Sequence, residues 1–475
     1  MLDKINYTGE NIESKTIIEP SFGDGAFLVV IVERILEYAE KKNLSEKNIY
    51  NILDNVYGIE IDEKLYETTI CRLNKLLQVH GLNYEWKNLV CENSLDYISP
   101  IKFDLCVGNP PYTKIQHLNT ETRAKIEEKY EFGKGNTDLY VVFFELCLRL
   151  MNEQGKMCFI TPNSYFKNSS QKALRNHFIQ MNYVEEIIDY GTVNVFGEIA
   201  TYTAITMLNF NKPDNNTKYF MMKNEREIEY ETTVDLTEFI NKNWVFVNDD
   251  DKKFLENISQ RETKLKDICD IQHGISTNAD KVYIIKKENF NRFEKDILRP
   301  VLKASTLNLD NKIIFPYQWN SDISKFEVIK EDIMKKLFPN TYKYLLLNKQ
   351  TLENRDMEKK TMEWYQYARS QGIQNCNKRK IALKHIISKN DTVCEIKEVD
   401  ENTLVYSGIY IIVKNDENYE FVKNILLSED FHRYLFLVGK DMAGGYKNVS
   451  AKFVKEYGIL LENEKEIEID ERKQI

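Results

Sequence analysis

The chain has 475 residues, 42% of them hydrophobic and 29% charged, with a formal net charge of −9. This is the composition of a globular protein long enough for two or three domains; with no apolar run of about 18 residues and no apolar core in the opening MLDKINYTGENIES, neither a membrane span nor a secretory leader is expected. The acidic balance does not exclude nucleic acid as a partner, because such a protein needs only a local basic face.

In chain order, a short apolar strand at residues 16–18 runs into Glu19-Pro20-Ser21-Phe22-Gly23-Asp24-Gly25-Ala26-Phe27. The glycines let the backbone turn sharply and approach a ligand closely, and the apolar run 26–36 reads as a helix packed on a sheet. A GxG in a strand-turn-helix context points to a nucleotide-like cofactor. The next strand, 55–61, carries Glu60 near its end, where a carboxylate is placed to accept the hydroxyls of a ribose. Residues 62–79 read as an amphipathic helix. The eight cysteines never stand in CxxC spacing and are expected to be buried thiols of a cytosolic protein, with no metal site.

After a further strand ending near Cys91, a fourth runs from Asp104 into Asn109-Pro110-Pro111-Tyr112. Methyl transfer to an exocyclic amine asks for such a group. The amine is conjugated with its ring and weakly nucleophilic, so a site helps by accepting hydrogen bonds from its N–H groups as the nitrogen becomes tetrahedral. Asn109 offers a side-chain carbonyl, the two prolines fix the placement of the Pro110 carbonyl, and Tyr112 offers a flat face for a base out of its stack. The plainer reading is a strand-ending turn. The polar stretch 113–134 is expected to be a loop that orders around DNA, and the apolar helix after it, ending near Met151, to be capped by Asn136 or Thr137. Strands at 155–161 and 184–190, a helix at 170–179 and a final strand reaching Phe210 continue the alternation of a doubly wound α/β domain.

The glycine turn, Glu60 and NPPY, in that order and followed by a long C-terminal region, resemble the S-adenosylmethionine-dependent DNA adenine-N6 methyltransferases of the gamma, TaqI-like group. The resemblance implies a class I, Rossmann-like mixed sheet followed by an α+β target-recognition domain. It implies S-adenosylmethionine as cofactor, held by Glu19, Pro20, Phe22, Gly23, Asp24, Gly25 and Phe27. Glu60 takes the ribose, Ile61 packs on the adenine ring, and Asn93 and Ser94 lie at its far edge. In this family Asn109, Pro110 and Tyr112 act on the target base, and a second aromatic sandwiches it; Phe196 is the choice for that ring, with Tyr202 as the other candidate. Eighteen residues precede Glu19; they lack the family's Thr-Pro segment, which implies truncation, a second chain that supplies it, or a substitute around Thr8.

Residues 211–251 are polar and charged, and the domain boundary is expected near 240, giving a catalytic domain at 1–240 and a recognition domain at 241–475. In the latter, Gln272, His273, Arg369, Gln371, Lys378, Arg379, Lys380 and Lys447 stand in stretches similar to the family's recognition blocks, and Arg, Gln and Lys among aromatics suit base edges and phosphates. The function expected is methylation of a flipped adenine in double-stranded DNA, bound between the two domains, in the bacterial cytoplasm, alone or beside a restriction endonuclease. The alternatives are a non-catalytic DNA-binding subunit and a protein-glutamine methyltransferase.

Overall fold

The computed structural model describes residues 1–475 apart from 192, 194, 196–201, 356–362, 370, 371, 443, 444 and 461–475. It divides into two compact units, Met1–Asn248 and Asp249–Ile475. The first runs past the boundary expected near 240 because Trp244 and Phe246 are buried among its aromatics, with Trp244 stacked on Phe166.

The first unit is built on one nine-stranded sheet. Its strands are β1 (Ile17–Glu19), β2 (Val56–Glu60), β3 (Leu89–Cys91), β4 (Phe103–Gly108), β5 (Met151–Pro162), β6 (Val184–Asp189), β7 (Thr203–Asn209), β8 (Asn216–Met222) and β9 (Ile228–Asp235). They lie in the order β3-β2-β1-β4-β5-β7-β6-β8-β9. The strands from β3 to β5 are parallel, and β7 runs antiparallel between β5 and β6. The strand order reverses between β1 and β4, and the crevice outside their carboxyl ends is where open α/β sheets bind ligands.

Side chains alternate across the strands, so each face gathers its own core. Ile17, Leu105, Val107 and Cys158 pack under α1 (Asn11–Ser14), α2 (Ala26–Lys42), α3 (Glu46–Leu53) and α4 (Glu63–Val79), together with Leu2, Ile5 and Tyr7. Ile18, Cys106, Met157 and Phe159 face α5 (Thr120–Lys129), α6 (Leu139–Leu150) and α7 (Lys172–Gln180). Phe103 joins this second face despite its spacing from Leu105, because the β4–β5 register slips between them.

Three expectations change. The stretch 113–134 is not a plain loop: Asn119 Oδ1 accepts from Thr122 N at 2.8 Å and starts α5. Helix α6 starts at Asp138 rather than on a side-chain cap from Asn136 or Thr137, and the Thr137 hydroxyl is buried. The polar region after 210 holds the β8–β9 hairpin. Of the cysteines, Cys71 and Cys91 are exposed and the other six buried, all as free thiols.

The second unit holds two four-stranded sheets. One is antiparallel, pairing Cys269–His273, Ile409–Val413, Lys380–Leu383 and Ile396–Val399 in that order. In the other, Leu298–Lys303 lies between an antiparallel Asn308–Ile314 and a parallel Leu404–Tyr406. Helices Tyr419–Leu426 and Glu429–Val438 cover the first sheet. Among the described residues no helix is long and apolar enough to cross a membrane.

Candidate active site

Strand β1 delivers Glu19 to the crevice at only 2% exposure. The amide of Leu28, in the first turn of α2, bonds its carboxyl, while Oε2 is buried with no partner among the described residues. Burial, with the Cys106 thiol and the Asp24 and Glu60 carboxyls nearby, pushes its pKa well above the ordinary glutamate range. The turn that follows needs both glycines: Gly23 and Gly25 have φ of +56° and +78°. A side chain at Gly23 would meet open space, whereas one at Gly25 would collide with the Thr69 methyl. The turn backbone is therefore open to a ligand on the Gly23 side. Phe22, by contrast, is buried, its ring packed against Gly58 and Tyr66. Pro20 is buried, Phe27 is half-buried and Asp24 is exposed.

Glu60, at the end of β2, is also buried. Its Oε2 accepts from Gly23 N and its Oε1 from Asp62 N, both at 2.8 Å. A carboxylate has about four acceptor sites, so lone pairs remain for a ligand hydroxyl. Ile61 beside it is 68% exposed, a bare apolar surface next to this carboxylate. Ser94 is buried and donates to the Pro20 carbonyl at 2.5 Å, which ties the end of β3 to the glycine turn and leaves no hydroxyl proton for a ligand. Asn93 caps the short turn after β3, its Oδ1 accepting from Leu95 N at 3.1 Å.

Across the strand-order reversal, β4 ends at Gly108 and sends Asn109 into solvent, with Pro110 buried behind it. The Tyr112 hydroxyl lies 2.5 Å from Asn109 Oδ1 and 3.2 Å from the Ile160 carbonyl, and its ring meets Tyr140 edge-on at 6.3 Å. Burial raises the Tyr112 pKa, so the ring stays a neutral phenol at any physiological pH. The segment after Tyr112 is zipped to the start of α6, with Leu139 N donating to Thr113 O and Ile115 N to Thr137 O. The buried Glu145 of α6 accepts from Glu131 N and Phe132 N at 3.0 and 2.7 Å and pairs with Arg149.

At the end of β6 a polar group that the sequence did not single out surrounds Asp189. Its Oδ1 accepts from Asn163 Nδ2 and Gly191 N and its Oδ2 from Tyr219 OH, all within 2.9 Å. It braces β5, β6 and β8 just before the segment containing Phe196, which lies outside the described residues. Tyr202 is described: its carbonyl accepts from Asn163 N at 2.9 Å.

In the second unit the expected contacts divide. Lys380 is 2% exposed and donates to the carbonyls of Cys376, Lys378 and Thr403; burial brings its pKa down to about 8. In this structure it clamps three backbone carbonyls. Arg379 is bonded to Glu398 at 2.7 Å and lies 3.6 Å from the Tyr419 ring centre, and Gln272 is held by Asn375. Lys447 lies over Phe436. His273, Arg369 and Lys378 are exposed, and Gln371 is outside the described residues. A cavity of about 630 Å³ opens beside His273, lined by Ser276, Asn278, Lys281 and Ser407 among others. Among the described residues no group of three or more His, Cys, Asp or Glu could hold a metal.

Residues 37–196, a third of the chain, match the family described as Eco57I restriction-modification methylase. The type II methyltransferase M.BstVI of Geobacillus stearothermophilus is 25% identical over 99% of this chain and 91% of its own length. M.BanIII of Aneurinibacillus aneurinilyticus is 23% identical over 88% and 78%. The Escherichia coli restriction enzyme and methyltransferase RM.Eco57I is 27% identical over 66% of this chain, which spans 35% of that longer protein. Among solved structures, the Type IIL restriction-modification enzyme MmeI, in complex with DNA, superposes with a TM-score of 0.66 at 14% identity, over 94% of this chain and 62% of its own. The resemblance drawn from the glycine turn and NPPY thus holds: the chain is similar to the restriction-modification methyltransferases, with an additional domain, and its first unit has the S-adenosylmethionine-dependent methyltransferase fold. S-adenosylmethionine is the methyl donor, and the residues fit it: a buried carboxyl at Glu19 whose Oε2 has no partner among the described residues, an open backbone at Gly23 and bare apolar surface at Ile61.

Proposed function

We propose that this protein transfers a methyl group to the N6 amino group of an adenine in double-stranded DNA, with the base turned out of its stack. The observation that carries the reading is the position of Asn109-Pro110-Pro111-Tyr112 at the carboxyl end of β4, beside the glycine turn of β1 across the strand-order reversal. The donor supplies an electrophilic methyl carbon on sulfur. Asn109 Oδ1 and the Pro110 carbonyl accept from the two N–H groups of the amine, drawing its lone pair out of conjugation and toward the methyl group. The nitrogen–carbon bond forms as the carbon–sulfur bond breaks, and the proton lost from nitrogen passes to solvent. Tyr112 and Phe196 hold the ring between them, Glu19 faces the amino acid end of the donor, Glu60 takes its ribose, and Ile61 covers its adenine.

DNA is the macromolecular substrate because the curated relatives are methyltransferases of restriction-modification systems and the matched MmeI structure contains DNA. The second unit then reads the target sequence, with His273, Arg369 and Lys378 as its exposed candidates. A companion restriction endonuclease is the natural partner of such a modification enzyme. The test is transfer of labelled methyl from S-adenosylmethionine to unmethylated DNA, with modified positions read base by base. N6-methyladenine in one recurring sequence, reduced at least a hundredfold by Asn109→Ala while S-adenosylhomocysteine still binds, is the expected result. Label appearing on protein and not on DNA would overturn it.

A further inference from the structure

The cofactor turn contains two glycines in left-handed conformations, and glycine gives up more backbone freedom on ordering than any other residue. Free of outside contacts, such a turn would sample many shapes, and a ligand would have to select one. Here successive peptide groups are held from outside. Gly23 N donates to Glu60, the Gly23 carbonyl accepts from Thr69 Oγ1 at 3.0 Å, and the Asp24 carbonyl accepts from Arg72 Nη1 at 2.5 Å. Gly25 N closes the turn on the Phe22 carbonyl. Thr69 is fully buried, and its methyl fills the space left by the missing side chain of Gly25. It stands on the inward stripe of α4 with Leu73 and Leu77, where a helix packing on a sheet would ordinarily place a third apolar residue.

We propose that Thr69 is a positioning residue for the methyl donor: through its hydroxyl it fixes the Gly23–Asp24 peptide, with Arg72 fixing the next, so that the turn is already in its binding shape before the donor arrives. This rests on the cofactor reading of the turn and on no contact between Thr69 and the donor. Preorganisation of this kind lowers the ordering cost of binding and so acts on affinity rather than on the transfer step.

The test is titration of the full chain with S-adenosylhomocysteine, without DNA, comparing the wild type with Thr69→Val, which keeps the shape and loses the hydroxyl, and Thr69→Ser, which keeps the hydroxyl. Thr69→Val is expected to weaken binding about tenfold, the loss of one hydrogen bond to a part-buried carbonyl, and Thr69→Ser less than threefold. In turnover, Thr69→Val raises KM for S-adenosylmethionine by the same factor, while kcat at saturating donor falls less than twofold. Arg72→Gln, on a side chain 45% exposed and therefore tolerant of change, weakens binding at least threefold and covers the case in which Thr69→Val does not fold. Wild-type affinity in Thr69→Val, or equal losses in Thr69→Val and Thr69→Ser, would overturn the clamp, as would wild-type affinity in Arg72→Gln. Failure of the wild type to bind would instead overturn the cofactor reading itself.

Discussion

Glu19 is a buried acid with no cation beside it among the described residues. Its surroundings are a thiol from β4, the carboxyls of Asp24 and Glu60, and a single backbone donor from α2, so the charged form is disfavoured and the side chain carries a proton well above the pH at which a free glutamate would lose it. Two consequences follow by linkage. Between the ordinary glutamate range near 4.3 and the raised folded value, the folded protein holds a proton that the unfolded chain has lost, so stability falls as pH rises through that window; Glu19→Gln removes the slope. With Glu19 placed, as proposed, against the amino acid end of the donor, the donor's ammonium group favours the carboxylate, and binding of S-adenosylhomocysteine is expected to release a proton. Calorimetry in buffers of different ionisation heat, run at a series of pH values above the ordinary glutamate range, should show up to one proton released by the wild type and none by Glu19→Gln; a wild-type heat independent of buffer at every pH would exclude the effect. The type and position of this residue were legible in the sequence, because the glycine turn names its neighbours. Its isolation was not, since Cys106 reaches it from a strand far along the chain. Lys380 shows the converse: a lysine in a basic run reads as a phosphate contact, yet it is 2% exposed and donates to two carbonyls just before it, Cys376 and Lys378, and to the remote Thr403.

At the scale of elements, what could be read from the sequence depended on how much of each element is buried. The strands and helices around the strand-order reversal are apolar on a regular period and stand where the pattern places them, to within a few residues. Helix α5 buries only Ile126, and β9 is an edge strand that buries only Val234, so neither leaves a hydrophobic period to read. These elements are fixed instead by contacts distant in sequence. The chain between α5 and α6 is held by Glu145, whose carboxyl takes two amides, that of the buried Phe132 and that of the more open Glu131. Replacing Glu145 with alanine should cost about 2 kcal/mol or more, the penalty for stranding a buried donor. It should also raise hydrogen exchange at Glu131 and Phe132 ahead of the rest of the first unit. Unchanged exchange at those two amides would mean that the segment is held by its side chains alone.

For the whole molecule, the two units differ in how they were readable and in what each is expected to do. The first has alternating strands and helices and a sheet order that by itself predicts where ligands bind; the second has short strands joined by irregular segments, whose pairing depends on contacts between residues far apart, such as Cys269–His273 with Ile409–Val413. Their cores are separate. The buried clusters on the two faces of the large sheet draw only on residues up to Phe246, and those of the second unit begin at Ile258. Every group assigned to the donor, from Glu19 through Thr69 and Arg72 to Ser94, lies on the first unit and is held by it. A chain ending at Asn248 should therefore fold and bind S-adenosylhomocysteine within about threefold of the full protein, since none of these hydrogen bonds or apolar contacts is removed. The same chain should lose sequence-selective DNA binding, because the exposed candidates for reading DNA are all on the second unit. Calorimetric titration with S-adenosylhomocysteine and a DNA mobility assay measure the two properties independently. Retained donor binding with lost DNA selectivity would assign one task to each unit. A truncated chain that folds but no longer binds the donor would mean that the second unit takes part in shaping the cofactor turn, and that Thr69 and Arg72 do not suffice to hold it.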